Sequence, residues 1–545
     1  MVKRVLLLLI LPAGVLLLGS ISNTGVNQNS VNVPYHQLFQ TSDACMSCHN
    51  GLITSAGEDV SIGTDWRTTM MANSSRDPYW HAAVRREVTD HPESRGHIEE
   101  ECSTCHMPMS HYEAKYNGNK AKIFAHLPVN GAANRADLLA ADGVSCTSCH
   151  QITREKLGSY ESFVGRFVID SLKPMGRREV FGPYPVDPGR SSIMHSSSGF
   201  LQAQSAHIQS SELCATCHTL ITKSLGPNGE VIGELPEQVP YLEWRHSSFK
   251  DEQSCQSCHM PVIEEEIPIS SVMGQPQKHV SRHTFLGGNF FMMKILNRYR
   301  NELGVQALPR EMEDGILRTV EHLQSKAARI EIDTLQLVHD KLQVQLSIDN
   351  MSGHKLPTAY PSRRIWIHLT VQNKAGDTLF ESGSLRPDGS IVGNDNDENA
   401  ARYERHYSRI YSPDQVQIYE SIMAGPGDEV TTGLLTAVRF IKDNRILPNG
   451  FDKSTADQDI AVQGNAGKDD DFAGGRDRIT YLMDLGNITA PLFIKAELWY
   501  QPIGYRWAQN LSSYKSEEAK RFVSYYDSMS GESALKLADV TGVWR

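Results

Sequence analysis

The sequence predicts a multidomain chain of two unlike parts: a mainly α-helical and irregular N-terminal domain, then an all-β, immunoglobulin-like sandwich. Two observations carry this. All ten cysteines fall between residues 45 and 258, in five short clusters whose density leaves little room for a sheet. From about residue 329 the apolar residues change period, from every third or fourth position to every second. A length of 545 residues exceeds one ordinary core and agrees with more than one domain. The formal charge of −11, from 64 acidic against 53 basic side chains, argues against nucleic acid as a partner.

Taken in order, residues 1–22 read as a signal peptide. Lys3 and Arg4 precede an apolar run from Val5 to Leu18, and Gly19, Ser20 and Ser22 offer small residues for cleavage. The run is short for a spanning helix. An uncleaved anchor is the alternative, and only then would the chain contact a membrane. Either way the mature chain is expected in the periplasm or outside the cell.

Residues 23–290 hold the five clusters: Cys45/Cys48/His49, Cys102/Cys105/His106, Cys146/Cys149/His150, Cys214/Cys217/His218 and Cys255/Cys258/His259. Each is Cys-x-x-Cys-His, the haem c attachment pattern. On one helical turn positions i, i+3 and i+4 share a face. Two thiols there can bond the two vinyl groups of one haem, with the next imidazole directed at the iron. A disulfide framework leaves the five histidines unexplained. Zinc sites need these units in pairs, and five do not pair off. Five covalently bound haem c groups are therefore expected, with the porphyrins forming much of a haem-packed core.

Each iron then keeps one open position, and its occupant separates electron transfer from catalysis. Eleven non-motif histidines precede residue 300 and five follow. His97 and His207 lie just before Cys102 and Cys214. His195 stands in Met-His-Ser-Ser-Ser-Gly-Phe, and His283 opens His-Thr-Phe-Leu-Gly-Gly-Asn, where glycines permit close backbone approach to a macrocycle. These four are the candidate distal ligands, with His246 ranked below them.

Residues 291–328 read as connecting helices, from apolar spacing over Phe290–Tyr299 and Arg310–Ala327. Residues 329–545 are the β-domain. Leu342, Val344, Leu346 and Ile348 alternate with polar residues, as do Ile365, Ile367, Leu369 and Val371; Leu492 to Tyr500 is another strand and Lys515 to Met529 a closing helix. His354, in Gly-His-Lys-Leu-Pro, sits where a loop can face the haem domain and supply a further axial ligand. Acidic runs at Asn394–Glu398 and Asp469–Asp471 carry oxygen ligands suited to calcium, without the spacing of a known calcium loop.

Several segments are similar to the cytochrome c554-like multihaem family: Asp142-Gly-Val-Ser-Cys-Thr-Ser-Cys-His-Gln-Ile, Ser211-Glu-Leu-Cys-Ala-Thr-Cys-His-Thr-Leu and Ser254-Cys-Gln-Ser-Cys-His-Met-Pro. Gly353-His-Lys-Leu-Pro-Thr, Asp414-Gln-Val-Gln-Ile-Tyr-Glu and Lys442 to Asp452 resemble larger bacterial members with a C-terminal β-domain. Trp66-Arg-Thr-Thr-Met-Met-Ala looks like a related Trp-x-x-Ser-x-His-Ala segment, with Met71 where a ligand histidine would stand. The resemblance implies a haem wire outside the cytoplasm, working with redox partner proteins it does not identify; a homo-oligomer stays open. The rival is a reductase or oxidase of a small nitrogen or sulfur compound at one open haem, with Tyr79, His81 and Arg76 lining its pocket.

Overall fold

The computed structural model describes residues 36–486 and 489–545. The predicted signal segment lies outside the described residues. In the motif-bearing half, three of the longer helices begin at a proline, and one of these also has a side-chain cap. Helix α1 (Pro78–Asp90) starts at Asp77, whose carboxylate accepts from the amides of Tyr79 and Trp80. Helix α2 (Arg95–His106) ends in the second motif, and α3 (Pro108–Tyr116) follows after Met107. Helix α4 (Pro240–Arg245) leads towards the fifth motif. Sheet in this half is limited to two-stranded pairings, the longest being Leu220–Leu225 with Val231–Gln238. Short spacers between motifs allow nothing larger.

Helices α5 (Phe290–Arg298) and α6 (Pro309–Lys326) lie where the spacing predicts them, packed on one another. Strand β1 (Ala328–Val338) then pairs antiparallel with β2 (Lys341–Asn350) across His339 and Asp340. Both turn residues have positive φ, as the tight hairpin turn that matches strand twist requires.

Further elements of this half include β3 (Arg364–Gln372), β4 (Thr378–Ser382), β5 (Arg409–Ile410), β6 (Ile418–Tyr419), β7 (Ser421–Ala424), β8 (Arg439–Asp443), β9 (Arg476–Met483), β10 (Leu492–Gln501), helix α7 (Glu517–Met529) and β11 (Leu535–Trp544). One sheet has the order β4-β3-β10-β11, with β6 also on β3; the other runs β5-β9-β2-β1. The immunoglobulin-like expectation concerns strand order; here most pairs are antiparallel, but β5 and β9 are parallel. The alternating residues Leu342, Val344, Leu346, Ile348, Ile365, Ile367, Leu369 and Val371 are all fully buried, each on a strand facing the core.

Two features differ from the sequence reading. The chain does not close on the helix after residue 515: β11 follows it and pairs along β10. Its residues are mostly half-exposed, so the alternation that marks an inner strand is weak. Gly542 sits where a Cβ would come within 2.9 Å of Ile332 Cδ1, which lets β11 lie close against β1. Helix α7, read from the sequence as the closing helix of the β-domain, packs on α1 of the motif-bearing half. Tyr79 and Phe522 have ring centroids 5.0 Å apart, and Arg85 pairs with Glu518 at 2.8 Å. One continuous core therefore runs from Tyr79 and Ala82, through Phe291 and Leu296, to Ile367 and Ile494.

Candidate haem-binding site

Each Cys-x-x-Cys-His motif adopts the helical turn its spacing demands. Cys146–His150 and Cys255–His259 are single-turn helices, and Ser254 caps the second. In the first and fourth motifs the amides of His49 and His218 donate to the carbonyls of Cys45 and Cys214, at 3.0 and 2.9 Å. None of the ten cysteines is in a disulfide. Nine of them, all but Cys48, line one connected cavity of about 1310 Å³, together with all five motif histidines.

The motifs meet out of chain order. The thiols of Cys45 and Cys146, of Cys105 and Cys217 and of Cys214 and Cys255 lie close enough to interact, and Cys149 lies near Cys217. The first motif thus adjoins the third, and the fourth adjoins the second, third and fifth.

Four of the five motif imidazoles are oriented by backbone carbonyls. Nδ1 of His49 donates to Ile269 O at 2.6 Å, that of His106 to Ser74 O at 3.2 Å and that of His150 to Phe181 O at 2.6 Å; His259 donates likewise to Leu286 O. This fixes the tautomer and leaves each Nε2 free, the outer-shell pattern of a metal-binding histidine.

Two motif histidines face a second, nearly parallel imidazole. The ring centroids of His150 and His283 are 6.3 Å apart with planes 18° apart; those of His259 and His354 are 6.2 Å and 15° apart. With metal–nitrogen bonds of about 2 Å on each side and about 1.1 Å from nitrogen to ring centre, two imidazoles sharing one iron have centroids about 6.2 Å apart. The residues therefore fit the haem group. Burial pushes His283 down to about 3 and His354 to about 4, keeping both neutral with a lone pair to offer.

The other sequence candidates lie elsewhere. His195 Nε2 donates to Gly176 O at 2.8 Å and does not line the cavity. Both nitrogens of His207 are taken, by Ser205 Oγ at 2.6 Å and Ile152 O at 2.7 Å. Proximity of His207 to a motif along the chain did not set the direction of its ring. His97 lines the cavity from an exposed position on α2, and His246 bonds Asp452 O at 3.0 Å. Met71 lines the cavity, with its carbonyl accepting from Val144 N at 3.0 Å, beside the third motif. Of the pocket proposed around Tyr79, only Tyr79 faces the cavity. Arg76 is spent on Gly304 O and Ala72 O, and His81 on Ser75 O.

Sequence reasoning missed three groups. Trp80 lies flat on His106, with centroids 4.4 Å apart and planes 1° apart. His322 reaches 6.1 Å from His259. The face of α6 carrying Thr319, His322, Leu323 and Lys326 lines the cavity, and that three-and-four spacing was the available signal. Tyr360, Glu87 and Glu237 line the cavity with Tyr79 near Cys102.

Glu87 accepts from the amides of Leu434 (2.9 Å) and Leu435 (3.3 Å), tying α1 to the β-half. Burial raises its carboxyl to about 7. Because the folded-state value lies above the ordinary carboxyl value, the contribution to stability is complete below about pH 4.5 and is lost as pH rises through 7, up to about 3 kcal/mol. Denaturant midpoints measured at pH 5 and pH 8 should show that loss in the parent protein. In Glu87→Gln it should largely vanish.

The acidic runs are engaged within the protein. Asp397 forms a bidentate pair with Arg364 at 2.7 and 2.9 Å. Asp469 accepts from Ser408 and from His406 Nε2 (3.2 Å). His406, Asp469 and Asp477 bring ligand-type atoms within 4.8 Å of one another. Nδ1 of His406, however, accepts from Gln417 Nε2 (2.8 Å) and Asn444 Nδ2 (3.1 Å). Both amides are oriented by backbone, since Tyr407 N and Glu420 N donate to their oxygens. The imidazole proton is therefore on Nε2, so His406 offers the carboxylates a donor and not a lone pair.

No protein-family model matches the chain, and no curated protein matches it. Among solved structures it is similar to a crystal structure of a penta-heme cytochrome c552 from Thermochromatium tepidum, with 14% sequence identity and a TM-score of 0.49, over 93% of this chain and 99% of that chain.

Proposed function

We propose that this protein is an exported pentahaem c-type cytochrome that transfers electrons through closely packed, mostly six-coordinate haems, between a membrane or periplasmic donor and a terminal acceptor. The observation that carries this is the pairing of His150 with His283 and His259 with His354, at the spacing of two imidazoles on one iron, inside a cavity lined by all five motif histidines. In this reading the ten cysteines form thioethers and His49, His106, His150, His218 and His259 are the proximal ligands. His283 and His354 would serve the haems held at the third and fifth motifs as second ligands, and Met71 is the candidate at the first. The haems supply the redox chemistry; the chain holds them in contact, orients the ligands and excludes water. An iron closed on both sides can exchange electrons but cannot take a substrate.

A second reading has one observation in its favour. Among the described residues, no second imidazole stands at that spacing from His49, His106 or His218. Near Cys102 the cavity also presents Tyr79, Tyr360, Glu87 and Glu237, which could deliver protons to a small nitrogen or sulfur compound at an open haem.

Haem quantification and low-temperature electron paramagnetic resonance of the purified protein test both. Five haems per chain with low-spin signals, and no carbon monoxide binding under native conditions, are expected. Fewer than five covalent haems would overturn the cytochrome assignment. A high-spin haem that binds carbon monoxide would favour the enzyme reading.

A further inference from the structure

His259 has two imidazoles within equal reach. His354 arrives on the loop after β2, at 6.2 Å and nearly parallel, and His322 arrives from α6, at 6.1 Å with its plane inclined by 47°. Only one of them can take the position opposite His259 on a shared iron. What distinguishes them is how each is held. His322 is carried on a long amphipathic helix, and no ring-nitrogen hydrogen bond holds it among the described residues. His354 is locked. Its Nδ1 donates to the carbonyl of Lys355 at 2.9 Å, and Lys355 is wholly buried.

Lys355 sits in a network of four charges, its three companions drawn from both halves of the chain. Its amide donates to Glu243 Oε2 at 3.1 Å and its Nζ to Asp443 Oδ2 at 2.7 Å. Arg445 closes the ring, 2.8 Å from Asp443 and 2.9 Å from Glu243 Oε1. Glu243 stands on α4, ahead of the fifth motif, while Asp443 and Arg445 come from the end of β8 and the loop after it. Two buried cations balance two buried anions, so the network is neutral, and loss of one member leaves an unpaired charge. The loop is also pressed against the chain leading to the fifth motif. A Cβ at Gly353 would lie 3.2–3.3 Å from Phe249 and Trp244, and Ser247 Oγ donates to Gly353 O at 3.1 Å.

We propose that the Glu243–Arg445–Asp443–Lys355 clamp selects His354 as the sixth ligand of the fifth haem and holds His322 in reserve, so that loosening the clamp exchanges one imidazole for the other. Glu243, Asp443, Lys355 and Arg445 are then positioning residues acting through His354. The proposal rests on the haem reading above, and covalent haem content separates the two: fewer than five haems sinks that reading, whereas five haems with the wrong spin states sinks this one alone.

The test is electron paramagnetic resonance of the full-length holoprotein and its variants. Nearly parallel and inclined imidazole planes give different low-spin g-values, so the two ligands are distinguishable. His354→Ala should keep the fifth haem low-spin with shifted g-values, because His322 takes over. His322→Ala should look like the parent. The double variant should convert one haem of five to high-spin. Glu243→Gln, which keeps shape and removes charge, should move the fifth-haem signal towards that of His354→Ala, and Thr358→Val, which removes one hydrogen bond to Glu243, should do so more weakly if Glu243→Gln does not accumulate. A high-spin haem in His354→Ala alone, or in His322→Ala alone, would overturn the reserve role. Parent g-values in the folded clamp variants would overturn the clamp.

Discussion

On the proposed cytochrome reading, replacing Cys214 and Cys217 together with serine is expected to remove one covalent haem and to split the redox chain into parts that no longer equilibrate. The fourth motif is the only one whose cysteines adjoin those of three others, through Cys105–Cys217, Cys214–Cys255 and the approach of Cys149 to Cys217. Loss of the same pair at the first motif, which adjoins only the third, should leave the rest connected. Stability should fall as well. A fifth of the 1310 Å³ cavity, at about 24 cal/mol per Å³ of unfilled core, is about 6 kcal/mol. That is comparable with the whole stability of many domains. Covalent haem content by mass, the thermal midpoint, and stopped-flow reduction monitored in the haem bands check this. Single-phase reduction at the parent rate would show that electrons bypass the fourth motif.

Asp397→Asn should destabilise the protein by about 3–5 kcal/mol without changing its haem spectrum. Asp397 and Arg364 are both buried, and the guanidinium also donates to Gln501 Oε1 (2.8 Å) and Gly389 O (3.3 Å). The carboxylate in turn accepts from Ile391 N at 2.8 Å. Removing its charge strands Arg364 on β3 without a counter-ion. Replacing both partners with apolar residues of similar volume should recover more than half of the loss, because the stranded cation is then gone. Guanidinium denaturation of the two variants measures this. A loss below about 1 kcal/mol in Asp397→Asn would mean that water reaches the pair and screens it.

The helices at Phe290–Arg298 and Pro309–Lys326 and the strands through Leu342–Ile348 and Ile365–Val371 were legible because their apolar periods are strong and local. Strand β11 was not, since an outer strand with half-exposed residues alternates weakly. The position of α7 was not either: its apolar face is plain in the sequence, but the surface it covers, beside Tyr79, lies more than 400 residues away along the chain.

The Cys-x-x-Cys-His motifs were readable outright, because their chemistry is confined to one helical turn and needs no distant partner. The imidazoles that face the motif histidines were only partly readable. His283 and His354 stand opposite motif histidines, whereas His195 and His207 spend their rings on backbone carbonyls, and His322 went unnoticed on a helix face. A distal histidine is defined by where its ring meets another element, and no local pattern encodes that. By itself the sequence determined how many Cys-x-x-Cys-His motifs there are and which residues form each turn, since those contacts span four residues. Only the tertiary structure decided which motifs adjoin, which imidazoles face each other, and that a buried four-charge clamp holds His354 in place, because each of these depends on contacts between segments far apart in the chain.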